Sequence, residues 1–384
     1  MKSINYGRQT ITEDDLATVK EALLSDYLTQ GPFVEKFEKS FAEFVQVYHA
    51  VAVTNATAAL HLSCLALNLQ KNQKVITTSN TFVASANCVR YCEGHVEFVD
   101  IDPKTFCIDL NQVEDLLKKS TAKTYAGVIP VDFAGYPIPL HELKTLSEKY
   151  GFWIIEDACH APGAEYKNAN AHWIKTGSAI DSDISIFSFH PVKHIATGEG
   201  GMMTTRNPQI AQKLRSLRSH GITRQATDFK NKNDGPWYYE MQELGYNFRM
   251  PDINSALGYS QLKRMDQNIS RRRQIATRYD KELSGLNLKT PQAPDHIKHA
   301  YHLYVIQTSN RKELYLFLKS RNIHCQIHYI PVHTQPYYTG LYGVKSLPHV
   351  ENYYAQCLSL PMYHGMTDEE QTYVISAIKE FYGQ

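Results

Sequence analysis

A chain of 384 residues exceeds the roughly 250–300 at which a single hydrophobic core stops growing, so two domains are expected. Its 40 Lys plus Arg offset 39 Asp plus Glu with no long run of either sign, which excludes charge-driven partners such as nucleic acid or an anionic membrane and predicts a small-molecule substrate. The N-terminus has no apolar stretch followed by a small-residue cleavage site, and no apolar run could span a bilayer, so a cytosolic protein is expected.

Short apolar runs alternate with helical patterns from about residue 50 to 205, the signature of βαβ units and a mostly parallel, doubly wound α/β layer. The first run, 50–53, leads into Thr54-Asn-Ala-Thr57-Ala58, with a helix expected over 58–69. Free backbone N–H groups at a helix start suit a phosphate, which makes Thr57 and Ala58 candidate ligands; an ordinary N-cap is the alternative. The run 74–78 precedes Ser79-Asn-Thr81-Phe82, whose aromatic ring could stack on a flat heterocycle or simply pack in the core. Runs at 96–101 and 127–133 follow, with amphipathic helices over 111–119 and 140–150. Seven cysteines, at 64, 88, 92, 107, 159, 325 and 357, read as reduced thiols; Cys88 and Cys92 share a helix face, but no second pair with zinc-finger spacing follows.

The run 153–157 ends in Glu156-Asp157-Ala-Cys-His160. Side chains alternate along a strand, so only one of Glu156 and Asp157 can enter a site at its carboxyl end, and Asp157, at the tip, is the choice. Its alternative use is to cap the following turn. His160 could line the same cavity or serve structure alone. The next run, 184–189, carries Ser188 and leads to Lys193 and Thr197-Gly-Glu-Gly-Gly201, and the run 202–205 closes the series. A hydroxyl five residues before a lysine and a Gly-rich stretch after it suit a cofactor with a phosphate and an aldehyde, so pyridoxal 5'-phosphate is expected. Asp157 would keep its pyridine nitrogen protonated, and Lys193 would be anchor and acid/base in one.

Beyond Pro251 the pattern predicts a long helix over 252–286, strands over 301–308 and 325–329, and helices over 311–320 and 368–381, a smaller α+β domain. The boundary is expected between residues 250 and 251, giving a large domain 1–250 with an N-terminal arm and a small domain 251–384. The polar segments 166–183 and 223–237 read as surface insertions or lids.

With Asp157, Ser188 and Lys193 in this order, the chain resembles the DegT/DnrJ/StrS family of sugar-nucleotide aminotransferases. Leu28-Thr-Gln-Gly-Pro32, Thr57-Ala-Ala-Leu60, Phe187-Ser-Phe-His-Pro-Val-Lys193 and Gly245-Tyr-Asn-Phe-Arg249 extend the match over nearly the whole chain. The resemblance implies the fold type I PLP-dependent transferase architecture of aspartate aminotransferase. It also implies Lys193 and Asp157 as catalytic residues, and Thr57, Ala58, Phe82, His160, Ser188 and Asn247 around the cofactor. Asn247 would act across a homodimer interface. Tyr6, Asp26, Tyr27, Leu28, Thr29, Ala56, Gln326, Ile327, His328 and Tyr329, with Ser188 and Asn247, would meet the sugar nucleotide.

Tyr6-Gly-Arg-Gln9, Arg218-Ser-His-Gly221 and Gln326-Ile-His-Tyr329 are most similar to the branch that makes a precursor of pseudaminic acid. That similarity implies transfer of an amino group from L-glutamate to C4 of a UDP-4-keto-6-deoxy-N-acetylhexosamine. Ala196, where family members often carry Thr, and a long 167–183 segment depart from the pattern. Three alternatives remain at this level: another nucleotide-linked ketosugar, a PLP-dependent dehydratase in which histidine replaces the lysine, and a non-catalytic protein that keeps the fold.

Overall fold

The computed structural model describes residues 3–121, 123–231 and 234–383. Seven strands form the central sheet in the order 49–53, 201–205, 184–188, 153–157, 125–129, 74–78, 95–99. Only Gly201–Thr205 runs against its neighbours, so six carboxyl ends point the same way.

The strands read as continuous apolar runs because both faces of the sheet are covered. In His49–Val53, Val51 and Val53 join one core with the helices Ala56–Ala66 and Leu110–Lys118, whereas Ala50 and Ala52 join another with Phe37 and Phe41 of the helix Pro32–Val45. The two-residue period of the strand thus feeds two cores. At about 25 cal/mol per Å², each fully buried Val, Ile or Phe side chain contributes about 1.5–3 kcal/mol, so these layers dominate the cohesion of the fold.

A separate core unites Ile4, Ile275, Tyr279, Leu314, Leu358 and Val374. It is built on the antiparallel pair Tyr304–Gln307 and Cys357–Leu360 with the helices Arg311–Ser320 and Asp368–Phe381. The N-terminal Ile4–Asn5 joins this region by parallel pairing with Ile323–His324.

Three expectations need correction. The helix expected over 252–286 is two helices, Asp252–Leu262 and Met265–Glu282. The chain breaks at Arg264 (φ −110°, ψ 15°), whose guanidinium donates to Asp15 at 2.9 Å. The first helix packs on the N-terminal helices Glu13–Leu23 and Pro32–Val45, and its Asp252 caps the latter by accepting from the N–H groups of Phe33 and Val34 at 3.2 and 3.1 Å. The second helix serves the Ile4 core, so one straight rod could not satisfy both.

The strand expected over 325–329 is extended chain with a single bridge, Gln326 to Ser359. Past that bridge the chain leaves the strand Cys357–Leu360, and residues 326–329 line a cavity. Nor is 166–183 a loop: Glu165–Lys167 and Trp173–Lys175 form a hairpin that Ile297–Lys298 extends to three strands. Tyr166 and Ile174 are buried beneath it, and the Tyr166 hydroxyl donates to Asp181 at 2.9 Å. In the 223–237 region, Ile222–Thr223 pairs with Glu240–Met241 around a short 3-10 turn, Ala226–Asp228, and Trp237 is exposed.

Candidate active site

A cavity of about 670 Å³ opens where the carboxyl ends of strands 49–53, 74–78, 153–157 and 184–188 meet the segment 326–330. Asp157, His160, Ser188 and Lys193 line it with Ala56, Thr57, Phe82, Tyr6 and residues 326–329. These parts come from six separate stretches of chain, brought together by the shared direction of the strands.

Lys193 is half-buried at the cavity wall, and the desolvation of its amine lowers it from the ordinary 10.5 to about 8 despite the opposing influence of Cys159 and Asp157. The sign of the linked stability follows. Between about pH 8 and 10.5 the unfolded chain holds a proton that the folded chain has lost, so stability rises with pH there; below pH 8 the cost of holding an ammonium in this half-buried position, about 1–3 kcal/mol, is present. The cofactor-free Lys193→Met protein should therefore be more stable than the parent at pH 7, with the gap closing by about pH 10.5. Denaturant melts at both pH values measure it, and equal midpoints at pH 7 would refute the burial argument.

Asp157 is 5% exposed. Its Oδ2 accepts from the Ser85 hydroxyl at 2.6 Å and its Oδ1 from the Cys159 N–H at 3.2 Å, so it serves the following turn while still lining the cavity. Glu156 lies on the opposite face, where it accepts from the Gly177 N–H at 3.2 Å and from the Ser185 hydroxyl. His160 is also fixed: its Nδ1 accepts from the Ala134 N–H at 3.2 Å, so Nε2 carries the proton and donates to the Tyr329 hydroxyl at 3.2 Å. Tyr329 keeps its own O–H for a ligand. Phe82 stands 6.3 Å from the Tyr329 ring, and its loop is held by the chain Ser79–His333–Glu351, with contacts of 2.6 and 3.2 Å.

The phosphate end is built differently from the sequence expectation. The helix begins at Ala56, and the Ala58 N–H is occupied by the side chain of Asn55 at 2.8 Å. Ala58 does not line the cavity, leaving the Ala56 and Thr57 amides with the Thr57 and Ser188 hydroxyls as its donors. Gly201 lies directly beneath: a Cβ there would stand 2.6 Å from the Asn55 carbonyl carbon and 2.8 Å from the Ala56 nitrogen. Gly201→Ala should displace this helix start and weaken binding of the phosphorylated cofactor about tenfold. Titration of the cofactor-free protein with pyridoxal 5'-phosphate measures this, and an unchanged affinity would count against the assignment.

Other expected residues lie elsewhere. Asp26, Tyr27, Leu28 and Thr29 are exposed and do not line this cavity, because Thr29 bridges Pro251 and Leu28 accepts from the Asp252 N–H, which holds the segment beside the helix 252–262. Asn247 is likewise exposed and outside it, paired with Ser219. Sequence reasoning passed over Asn55, Ser85 and His302, the last lying with its Nε2 3.4 Å from the Lys193 amine. Asn before a run of small residues is a legible cap signal; nothing local pointed Ser85 at Asp157 or His302 at Lys193.

Residues 9–379 match the DegT/DnrJ/EryC1/StrS aminotransferase family. The chain belongs to this family. It is 38% identical to the spore coat polysaccharide biosynthesis protein SpsC of Bacillus subtilis, over 98% of this chain and 96% of that one. It is 37% identical to the UDP-4-amino-4,6-dideoxy-N-acetyl-beta-L-altrosamine transaminase of Campylobacter jejuni, over 97% and 95%. Among solved structures it is similar to Helicobacter pylori PseC, an aminotransferase of pseudaminic acid biosynthesis, with a TM-score of 0.89, 28% identity and complete coverage of both chains. The protein is a sugar aminotransferase of the PLP-dependent α/β fold.

Pyridoxal 5'-phosphate is the cofactor, and the donor set fits it: a buried amine, a carboxylate, an aromatic ring and a helix start with free amides in one cavity. Lys193 lines that cavity, whereas the adjacent His194 turns away and its Nε2 meets the Ala300 carbonyl at 3.0 Å. A dehydratase with histidine as the working residue finds no support in this arrangement. Among the described residues, no helix is long and apolar enough to cross a membrane.

Proposed function

We propose that the protein transfers an amino group from L-glutamate to C4 of UDP-2-acetamido-2,6-dideoxy-β-L-arabino-hex-4-ulose, giving UDP-4-amino-4,6-dideoxy-N-acetyl-β-L-altrosamine. The observation that carries this reading is the buried Lys193 amine in one cavity with Asp157 and with the 326–329 segment that the sequence likens to the pseudaminic acid branch. The relatives named above for this reaction and pathway support it.

The cofactor, when bound, supplies a reversible carbonyl link to amines and a ring that accepts electrons from the reacting carbon. Lys193 anchors it and then, as the free amine, takes a proton from the donor's α-carbon and returns one in the second half-reaction. With its amine near pH 8, a useful fraction is unprotonated at neutral pH. Asp157, held by Ser85 and the Cys159 amide, would meet the ring nitrogen and keep it protonated. The Ala56 and Thr57 amides with Ser188 would hold the phosphate, and Phe82 would cover the ring. Tyr329, with its hydroxyl fixed by His160, donates to a sugar or cofactor oxygen. Tyr6 and residues 326–328 contact the sugar nucleotide.

In this reading Asn247 and residues 26–29 serve the site of a second subunit in a homodimer, which accounts for their exposure and distance from their own cavity. On the same reading the large domain comprises 1–250 and the small one 251–384, with Ile4–Asn5 crossing to the small domain and the helix Asp252–Leu262 docking on the large one, and the protein works in the cytoplasm.

The test is spectroscopic. L-Glutamate should bleach the visible band of the cofactor-loaded protein, and the β-L-arabino ketosugar should restore it faster than its D-gluco C5 epimer. A preference for the epimer, or for a GDP- or dTDP-linked ketosugar, would replace the substrate and leave the aminotransferase.

A further inference from the structure

We propose that His302 is the positioning residue for Lys193: its Nε2, 3.4 Å from the amine, acts as the hydrogen-bond acceptor that aims it and holds it through both proton transfers. The proposal rests on the reading of Lys193 as the catalytic amine and deepens it.

His302 is 3% exposed and its Nε2 lies 3.4 Å from the Lys193 nitrogen. Three independent anchors hold it there. The Leu303 N–H donates to the Ala134 carbonyl at 3.1 Å and the Ala300 N–H to the Gly135 carbonyl at 2.9 Å, clamping residues 300–303 to the turn Phe133–Gly135. Gly135 allows that approach. Its φ is +100°, and a Cβ would stand 2.9 Å from the Tyr301 nitrogen and 3.1 Å from the His302 nitrogen. From the other side the fully buried Arg272 donates through Nη1 to the carbonyls of Tyr301 and His302 at 3.0 and 3.3 Å. The ring is braced by His160, 4.4 Å away between centroids. A backbone clamped on both sides and a ring contact together set this imidazole beside the reactive amine, which points to a placed group rather than to core filling.

The arrangement also decides which role His302 can take. A proton relay would require it to become imidazolium. Burial opposes that, and so do the surrounding groups: Lys193, His160, His194 and Arg272 all disfavour a positive charge on the ring. Around the amine itself stand Asp157 and Cys159 from the end of strand 153–157, Arg272 from the helix 265–282, and His160, His194, His302 and His328. The proton therefore stays on lysine, and the imidazole remains neutral. Among the described residues His302 Nδ1 has no hydrogen-bond partner, so the contact with lysine selects the tautomer, and an accepting Nε2 serves both the amine and the ammonium. An Nε2–H donor would occupy the lone pair that has to take the substrate's proton.

Two measurements separate this from a merely structural role. The first uses cofactor-free protein: pulsed acetylation with acetic anhydride across a pH series, with Lys193 modification read by peptide mass spectrometry. His302→Phe removes the acceptor but keeps the bulk, which weakens the ammonium more than the amine. The Lys193 midpoint should fall by about one pH unit, so Lys193 labels up to about tenfold faster at neutral pH. A packing defect would admit water and move the midpoint upward. The second is the single-turnover reaction of the cofactor-loaded protein with L-glutamate, which should slow about 100-fold in the same variant although its amine is the more available.

His302→Gln, whose amide oxygen reaches toward the Nε2 position, should keep the midpoint within about half a unit and the rate within about fivefold; His302→Asn, which is too short, should not. If the Phe variant does not fold, this pair carries the test. Unchanged midpoint and rate in Phe, or Gln and Asn behaving alike, would overturn the proposal. A parent protein that ignores glutamate would instead count against the proposed donor, and the labelling midpoint would still report on the His302 contact.

Discussion

Lys193→Ala should lower turnover by at least about 10⁴-fold and leave the cofactor bound without a covalent link. The loss has two parts. A positioned general base is worth about 10²–10⁴-fold, and the covalent exchange through the lysine amine disappears with it. No neighbour can substitute: His194 points to the Ala300 carbonyl, and burial keeps His160, His302 and His328 from carrying protons near neutral pH. Added methylamine should restore part of the rate, because the cavity still presents Asp157 and the phosphate donors. The check is transamination by the variant alongside its absorbance after borohydride and dialysis, which removes any cofactor not covalently held. A variant that transaminates within tenfold of the parent would sink the assignment.

Asp157→Asn should lower the rate of the glutamate half-reaction by about 10³-fold, roughly 4 kcal/mol, with a smaller loss of cofactor affinity. The substitution is nearly isosteric, and the remaining oxygen can still accept from Ser85 or from the Cys159 amide, so the turn should survive. What is lost is the negative charge that keeps the ring nitrogen protonated. Rapid-mixing spectroscopy with glutamate measures the rate, and a melting curve guards against unfolding. Ser85→Ala, which removes the 2.6 Å hydrogen bond but not the charge, should cost only about tenfold, ranking charge above its positioning. Equal losses in the two variants would mean that geometry rather than charge is the essential contribution.

The strands legible in the sequence were those buried on both faces. Residues 74–78 and 153–157 are centred on Val75-Ile76 and Trp153-Ile154-Ile155 and rich in β-branched residues between polar flanks, so their expected limits coincide with the folded strands. The helix over 140–150 was equally plain from its leucine spacing. Runs that end in functional loops were harder: hydropathy continues past the last ladder hydrogen bond, so the expected 127–133 stops at Ile129. The break at Arg264 left no trace in periodicity, because its cause is the ion pair with Asp15, 249 residues away.

The site divides along the same line. The sequence by itself determined the fold class, the family and the order Asp157, Ser188, Lys193, because each depends on local pattern: apolar runs, a lysine beside a Gly-rich turn, a carboxylate at a strand tip. Only the tertiary structure decided that Ser85 steadies Asp157, that Gly201 must lack a side chain beneath the helix start, and that His302 reaches Lys193. All of these are contacts between residues far apart in the chain. A side chain's direction and partners follow from how distant elements are clamped together, and one-dimensional spacing does not encode that.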